Sequence, residues 1–328
     1  MSRKFRWGIM GSGRMAGVFA NALSVLPEAE LYAVASREET KARTFAKEYQ
    51  VKKGYGSYEE FLADPEIEVV YIATPISEHY NNILQCLNAG KHVICEKCLT
   101  VNSRQAEEVI ALARAKKLFL MEAMWTKCQP VFQKIQEWIH TGKLGDVQAV
   151  DIRFFTAAGK GHRLYKKELA GGAFLDLGFY PVSYACAVLG DEPKNVINHT
   201  VMGERDVDYF DSILLEYADG KFAHLSCGLG SEKMVSLYII GSKGRITMQK
   251  EYFFQAQSAQ LLDYDNEILE SCEGTFLKNG YEFEAQEVMD CLKRNLTESK
   301  KVPLDSSLAV LRILDKCRES AGCHFDFE

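Results

Sequence analysis

Gly11-Ser12-Gly13-Arg14-Met15-Ala16 follows the apolar run Trp7 to Gly11 without a break and opens a helical pattern. It is a G-x-G-x-x-A fingerprint in the context that gives it meaning, strand before and helix after. Gly11 permits the tight turn, Gly13 lets a pyrophosphate approach the backbone, and Ala16 keeps helix and sheet close. Ser12, Arg14 and Met15 complete the turn and the first helical residues, whose unpaired N–H groups and positive dipole end suit phosphate. The next apolar run, Leu31 to Ser36, ends in Ala35-Ser36-Arg37-Glu38. An acid here would bind both ribose hydroxyls of NAD, whereas Ser36 followed by Arg37 suits the 2′-phosphate of NADP. The alternative is an Arg37 merely exposed at a strand end, with Glu38 as the acid for NAD.

Working outward, Val69 to Pro75, His92 to Lys97 and Leu118 to Trp125 read as further buried strands. A helical stretch lies between the last two, Asn102 to Lys117, with Ala106, Val109, Ile110 and Ala113 in one stripe and Asn102 as N-cap. Strand–helix alternation with near-continuous apolar strands means a parallel sheet covered on both faces. Beyond residue 125 the rhythm changes. Val147 to Phe155 is a strand, and tight turns separate Ser212 to Tyr217 from Lys221 to Cys227, and Val235 to Ile240 from Arg245 to Met248. Gln260 to Asp263 and Glu267 to Ser271 flank another turn, and helices are expected at Tyr281 to Arg294 and Ser306 to Ala321. The expected fold is α/β: an N-terminal Rossmann dinucleotide-binding domain over 1–124, then an α+β domain over 125–328 for substrate binding and dimerisation. The second domain has a large open, mainly antiparallel sheet, and its C-terminal helices are free to pack back on the first.

Composition narrows the function classes. The 328 residues are 47% hydrophobic and 26% charged, which excludes disorder and a disulfide miniprotein. A net charge of −6 argues against nucleic acid or an anionic membrane as partner. No apolar run reads as a membrane span, and the basic N-terminus meets the Gly-rich turn too soon for a signal-peptide core. The ten cysteines, Cys86, Cys186, Cys291 and Cys317 among them, lie mostly in apolar or helical patterns, as reduced thiols do. A cytoplasmic location follows as an expectation, and the sequons at Asn198 and Asn295 then read as chance.

Ala73-Thr74-Pro75 with His79, Cys95-Glu96-Lys97, and Gly171-Gly172-Ala173-Phe174-Leu175-Asp176-Leu177-Gly178-Phe179-Tyr180, together with the fingerprint, resemble the glucose-fructose oxidoreductase/inositol dehydrogenase (Gfo/Idh/MocA) family. The resemblance covers essentially the whole chain. Met121-Glu122-Ala123-Met124-Trp125-Thr126 and Asp176 to Tyr180 are most similar to the branch of dimeric trans-dihydrodiol dehydrogenases and NADP-dependent D-xylose dehydrogenases. The resemblance implies Lys97 and Tyr180 as catalytic pair, with Asp176 beside them in the substrate pocket. The chemistry suits these residues: removing hydride from a hydroxyl-bearing carbon needs a base for the hydroxyl proton. Tyr, with a usual pKa of about 10, needs an ammonium such as that of Lys97 to act as one. One helical turn separates Asp176 from Tyr180, which puts both on one helix face. The resemblance further implies Thr74, Pro75, His79 and Glu96 around the cofactor, Trp125 as a pocket wall, and Arg163 reaching cofactor or substrate. Phe154, on a sheet strand, is a candidate substrate contact.

The family usually reads Glu-Lys-Pro where this chain has Glu96-Lys97-Cys98, so the loop is expected to differ or to carry an unusual bond. The Cys95-x-x-Cys98 string lacks the helix N-terminus of a redox dithiol and the second pair of a zinc site. The histidines show no metal-ligand spacing. The expectation is therefore an NADP-dependent oxidoreductase, with NAD as the alternative cofactor, acting on a sugar, cyclic polyol or trans-dihydrodiol as a homodimer built on the C-terminal sheet. The rival is a catalytically silent dinucleotide sensor on the same scaffold.

Overall fold

The computed structural model describes residues 3–159, 161–230, 232–248 and 253–328. Lys160, in the Gly-rich loop before Arg163, lies outside the described residues, as do Met1 and Ser2 of the basic N-terminus. The chain forms two compact units: Met1–Thr100, Arg104–Cys128 and Phe276–Leu304 make the first, and Val101–Ser103, Gln129–Thr275 and Asp305–Glu328 the second. Residues 125–128 and 276–304 thus group with the fingerprint segment.

In the first unit, β1 (Phe5–Met10), β2 (Ala29–Ala35), β3 (Lys53–Tyr55), β4 (Val69–Ile72), β5 (His92–Glu96) and β6 (Leu120–Ala123) form one sheet in the order β3-β2-β1-β4-β5-β6. Every pairing is parallel. This is the doubly wound order, with its switch point between β1 and β4, where the crevice beyond the strand ends receives ligands. The apolar runs explain the strands: Trp7, Ile9, Val69, Val70, Tyr71 and Ile72 are fully buried. Sequence reading missed β3, a three-residue Lys-Gly-Tyr edge without an apolar run. The predicted helix after β5 runs Ser103–Lys116.

The late segment is stitched into this unit by contacts that no local pattern announces. Asn279 donates to the Val18 carbonyl at 2.8 Å, the Leu120 amide to the Thr297 carbonyl at 3.2 Å, and Arg114 pairs with Glu298 at 2.7 Å. Ala285, Val288, Met289 and Cys291 of the helix Glu282–Lys293 are completely buried.

The second unit is built on an eight-stranded sheet: β7 (Val147–Thr156), β8 (Asn195–Met202), β9 (Asp208–Glu216), β10 (Phe222–Leu229), β11 (Met234–Gly241), β12 (Gly244–Met248), β13 (Ser258–Leu262) and β14 (Ile268–Glu273). Its order is β14-β13-β12-β11-β7-β10-β9-β8. Only β7 and β10 pair in parallel; the other neighbours are antiparallel. The expected hairpins form, and β8 is an edge strand the sequence reading did not assign. It carries the Asn198 sequon, whose amide donates to the Cys317 carbonyl at 3.1 Å. The stretch Lys167–Leu189 is, among the described residues, the one helical run long and apolar enough to cross a membrane. Sequence reading saw no such run. Its apolar window is 83% buried inside the fold, as the hydrophobic core helix of a globular unit is.

Candidate active site

The nucleotide-binding half is assembled in the first unit from the ends of β1, β2, β4 and β5. Gly11 has φ +103°, and a Cβ there would lie 2.9 Å from the Ala73 carbonyl oxygen, so the turn admits glycine alone. Gly13 is the N-cap of the helix Arg14–Leu23, with no side chain capping the first-turn amides. A Cβ on Gly13 would meet nothing within 4 Å. Uncapped amides facing open space are what a pyrophosphate requires, so this turn fits a dinucleotide. Ala16 is fully buried, as close helix–sheet packing demands. At the end of β2 the Ser36 hydroxyl accepts the Glu38 amide at 3.4 Å, and Glu38 is paired with Lys41 at 2.6 Å. Arg37 stands exposed between them.

The loop after β5 carries Lys97. The Lys97–Cys98 peptide is cis, a geometry uncommon before any residue but proline. Each residue of the loop is held separately: the Lys97 amide donates to Glu96 Oε2 at 3.3 Å, the Cys98 carbonyl meets His79 Nδ1 at 2.7 Å, and the Leu99 amide donates to Glu122 Oε1 at 2.7 Å. His79 is completely buried, and its Nε2 meets the Thr74 carbonyl at 3.0 Å, while Asn82 donates to Thr74 Oγ1 at 2.8 Å. His79 therefore ties the loop after β4 to the loop after β5 rather than offering its ring to a ligand. Pro75 caps the helix Ile76–Asn88 between them.

Glu96 accepts a hydrogen bond from the Tyr71 hydroxyl, and burial together with the Glu96 charge pushes the Tyr71 phenol well above its usual range. Glu284 is buried, with neither carboxyl oxygen met by a donor. Burial first, then the nearby Glu96 charge, raises its carboxyl well above the usual range. Sequence reading did not single out Asn82, Glu122 or Glu284 as site residues. Glu122 had a signal, a lone acid within a buried apolar strand; Asn82 had its three-residue spacing from His79; Glu284 had none. Trp125 stacks on Tyr281 with ring centroids 4.1 Å apart. Cys95 and Cys98 are fully buried free thiols, and burial holds Cys95 far above a reactive range.

The second unit carries Asp176 and Tyr180. Phe174–Gly178 is a π-helical turn, and the Phe179 amide donates back to the Phe174 carbonyl before α-helix Phe179–Leu189 takes over. The α-helical spacing expected between Asp176 and Tyr180 is therefore interrupted by a wider turn, a feature frequent at functional sites. Arg163 donates to Asp176 Oδ1 at 2.8 Å, so the guanidinium expected to reach cofactor or substrate is paired with the Asp176 carboxylate. Tyr180 is 8% exposed, and its ring lies among Phe154 (6.0 Å), Phe179 (5.9 Å) and Phe254 (5.1 Å). Among the described residues no cluster of His, Cys, Asp and Glu could hold a metal.

Residues 5–124 match the oxidoreductase family with an NAD-binding Rossmann fold, and residues 132–247 match the Gfo/Idh/MocA C-terminal domain. The chain is 35% identical to trans-1,2-dihydrobenzene-1,2-diol dehydrogenase of Xenopus laevis, covering 97% of this chain and 98% of that one. It is 34% identical to the Mus musculus enzyme of the same name, covering 98% of each. Among solved structures, a 3-ketoreductase from Actinomadura kijaniata in complex with NADP superposes with a TM-score of 0.83 at 24% identity, over 97% of this chain and 98% of that one. A levoglucosan dehydrogenase in complex with NADH and levoglucosan superposes with a TM-score of 0.87 at 18% identity, over 98% of each. With both domains matched and the dinucleotide turn in place, the chain belongs to the Gfo/Idh/MocA family of NAD(P)-binding oxidoreductases.

Proposed function

We propose that this protein is an NADP-dependent dehydrogenase or reductase acting at a hydroxyl-bearing carbon of a trans-dihydrodiol, sugar or cyclic polyol. When bound, the nicotinamide supplies the hydride acceptor or donor at C4. The chain's own residues handle the proton. Tyr180 takes it from the substrate hydroxyl during oxidation and returns it during reduction. The Lys97 ammonium stabilises the phenolate, and Asp176, oriented by Arg163, binds a neighbouring hydroxyl. One observation carries the reading: the three residues of the Lys97 loop are each fixed by a separate hydrogen bond, the investment expected where a side chain must be held in a reactive geometry. The names of the relatives support the dihydrodiol as first substrate to try. The test is incubation with NADP or NAD and a panel containing trans-1,2-dihydrobenzene-1,2-diol, aldoses and inositols, followed by nicotinamide absorbance. Reduction with at least one compound is expected, faster with NADP. Tight dinucleotide binding with no turnover across the panel would favour the sensor reading.

The same proposal includes a homodimer through the outer face of the eight-stranded sheet. Pairing sets Val201, Phe210, Gly228, Phe155 and Met234 in one row across β8, β9, β10, β7 and β11. On β11, Leu237 and Ile239 are buried while Tyr238 and Ile240 stand out, 40% and 37% exposed. Ile197, Phe222 and Met234 add to this apolar face, and Asp151, Arg153 and His224 place both charge signs at its middle. A face with apolar rows and mixed charge is suited to a two-fold copy of itself. Sedimentation at micromolar concentration is expected to give twice the 37.0 kDa chain mass. Tyr238→Glu is expected to shift the population to monomer, and a wild-type monomer would refute the interface. A reducing cytoplasm is proposed as well, in keeping with ten free cysteines.

A further inference from the structure

Behind the turn that carries Asp176 lies a pair of carboxyl groups the proposed chemistry does not use. Asp211, Ile213 and Leu215 of β9 face the core by alternation, which would turn Asp208 outward. A register shift reverses this: Val201 pairs with Phe210 but Met202 with Asp208, so Tyr209 is skipped and both acids point inward. Asp208 and Asp211 are 1% and 3% exposed.

Asp208 Oδ2 accepts the Phe174 amide, the first residue of the π-turn, at 2.5 Å, and its Oδ1 lies 3.8 Å from Cys323 Sγ. A Cβ on Gly172, which has φ +121°, would come within 2.1 Å of Asp208 Oδ1, so this carboxylate also explains the second glycine of the Gly171-Gly172 pair. Asp211 Oδ2 is 3.7 Å from Cys227 Sγ, while its Oδ1 is buried with no donor directed at it. Such an oxygen lacks the donors that would stabilise a charge on it. Burial, then the Asp208 charge, pushes the Asp211 carboxyl up to about 9. Burial also raises Asp208, opposed by the Phe174 amide and by its hydrogen bond with Asp211.

The other groups around the pair come from each neighbouring element: Thr200 on β8, Cys227 on β10, Cys317 on the helix Leu304–Ala321, and Cys323 after it. The three thiols are raised by burial and by these acids. Lys316 acts on Cys317 and Arg318 on Cys323, the latter donating to the carbonyls of Val101 and Cys323 and paired with Glu328.

We propose that Asp208 is the positioning residue of the reactive turn: as the anion of a proton-sharing pair with Asp211, it holds the Phe174 amide and thereby sets where the π-turn presents Asp176. The inference rests on the proposed role of Asp176. It makes the turn sensitive to alkali, because ionising Asp211 puts two buried negative charges side by side and loosens the anchor. The sign for stability follows. Between the ordinary Asp value of about 4 and about 9, the folded chain holds a proton that the unfolded chain has lost. The contribution of the pair to stability is therefore full below about pH 4 and declines as the pH rises to about 9.

Amide hydrogen exchange of the full chain tests this from about pH 6 to about pH 10, read as protection factors for Phe174 to Gly178 against the central strands β7 and β10. In wild type, Phe174 protection should fall about 10-fold or more across the alkaline half of the range while the strands hold steady. Asp211→Asn, a neutral donor in place of the protonated acid, should keep Phe174 protected throughout. Asp208→Ala should lower Phe174 protection about 10- to 100-fold at every pH, the size of a lost hydrogen bond to a charged group. Its kcat on trans-1,2-dihydrobenzene-1,2-diol should fall with KM for NADP unchanged. A pH-independent Phe174 in wild type, or an Asp211→Asn profile falling like wild type, overturns the proposal. So does an Asp208→Ala enzyme with wild-type kcat. Should Asp208→Ala fail to fold, the Asp211→Asn profile decides alone. Absence of turnover in wild type would count against the enzymatic reading only, since the exchange profiles need no substrate.

Discussion

Tyr180→Phe is expected to lower turnover about 10²–10⁴-fold while NADP affinity stays within about twofold. The substitution removes one oxygen and leaves the ring, so its contacts with Phe154, Phe179 and Phe254 persist. Its hydroxyl is the only part of the side chain able to exchange a proton with substrate. A phenol reaches a useful basicity at neutral pH only beside a cation, which is the part given to Lys97, so Lys97→Met should cost a similar factor. The double variant should then lose little more than either single one, because residues acting as one relay are not additive. Steady-state kinetics with separate cofactor titration checks this. Turnover within about threefold of wild type would remove Tyr180 from the chemistry, and loss of NADP binding with chemistry intact would reassign it to the cofactor.

The second large effect falls on cofactor choice. Arg37→Ala should weaken NADP about 10- to 100-fold and NAD less than about threefold, the size of a lost charge-assisted contact to phosphate. The neighbouring acid, Glu38, pairs with Lys41 at 2.6 Å, and its amide donates to the Ser36 hydroxyl. The exposed guanidinium stays available to a 2′-phosphate and has no counterpart in NAD. Calorimetric titration of both dinucleotides at two salt concentrations checks the claim, since a phosphate contact weakens with ionic strength. Equal losses for the two cofactors would mean that Arg37 supports the strand end rather than the phosphate.

Local geometry explains what could be read from the residues alone. The fingerprint turn was legible because Gly11, Gly13 and Ala16 act on their own neighbours, and the buried strands because Val69 to Ile72 leave no polar face to expose. β3 and β8 were missed because edge strands need no apolar run. The π-turn was illegible for a different reason. Its first amide is held by an acid 34 residues away, and that acid faces inward only through a strand irregularity. The Lys97 loop is similar: its identity stands out in the sequence, but the His79 and Glu122 bonds that hold it arise from tertiary structure. The pairing of Arg163 with Asp176 was equally out of reach, because the two residues sit in separate segments that only the tertiary fold brings together.

The unit holding the fingerprint recruits residues 276–304, and the sheet-bearing unit recruits 305–328. On the ribosome, the first body cannot finish folding until residues 276–304 have emerged, nor the second until 305–328 have. A fragment ending at Cys128 would display the seat of the helix Glu282–Lys293 as raw hydrophobic surface, a target for chaperones and for aggregation. Anyone borrowing the nucleotide-binding body as a cassette would have to carry the late helix with it.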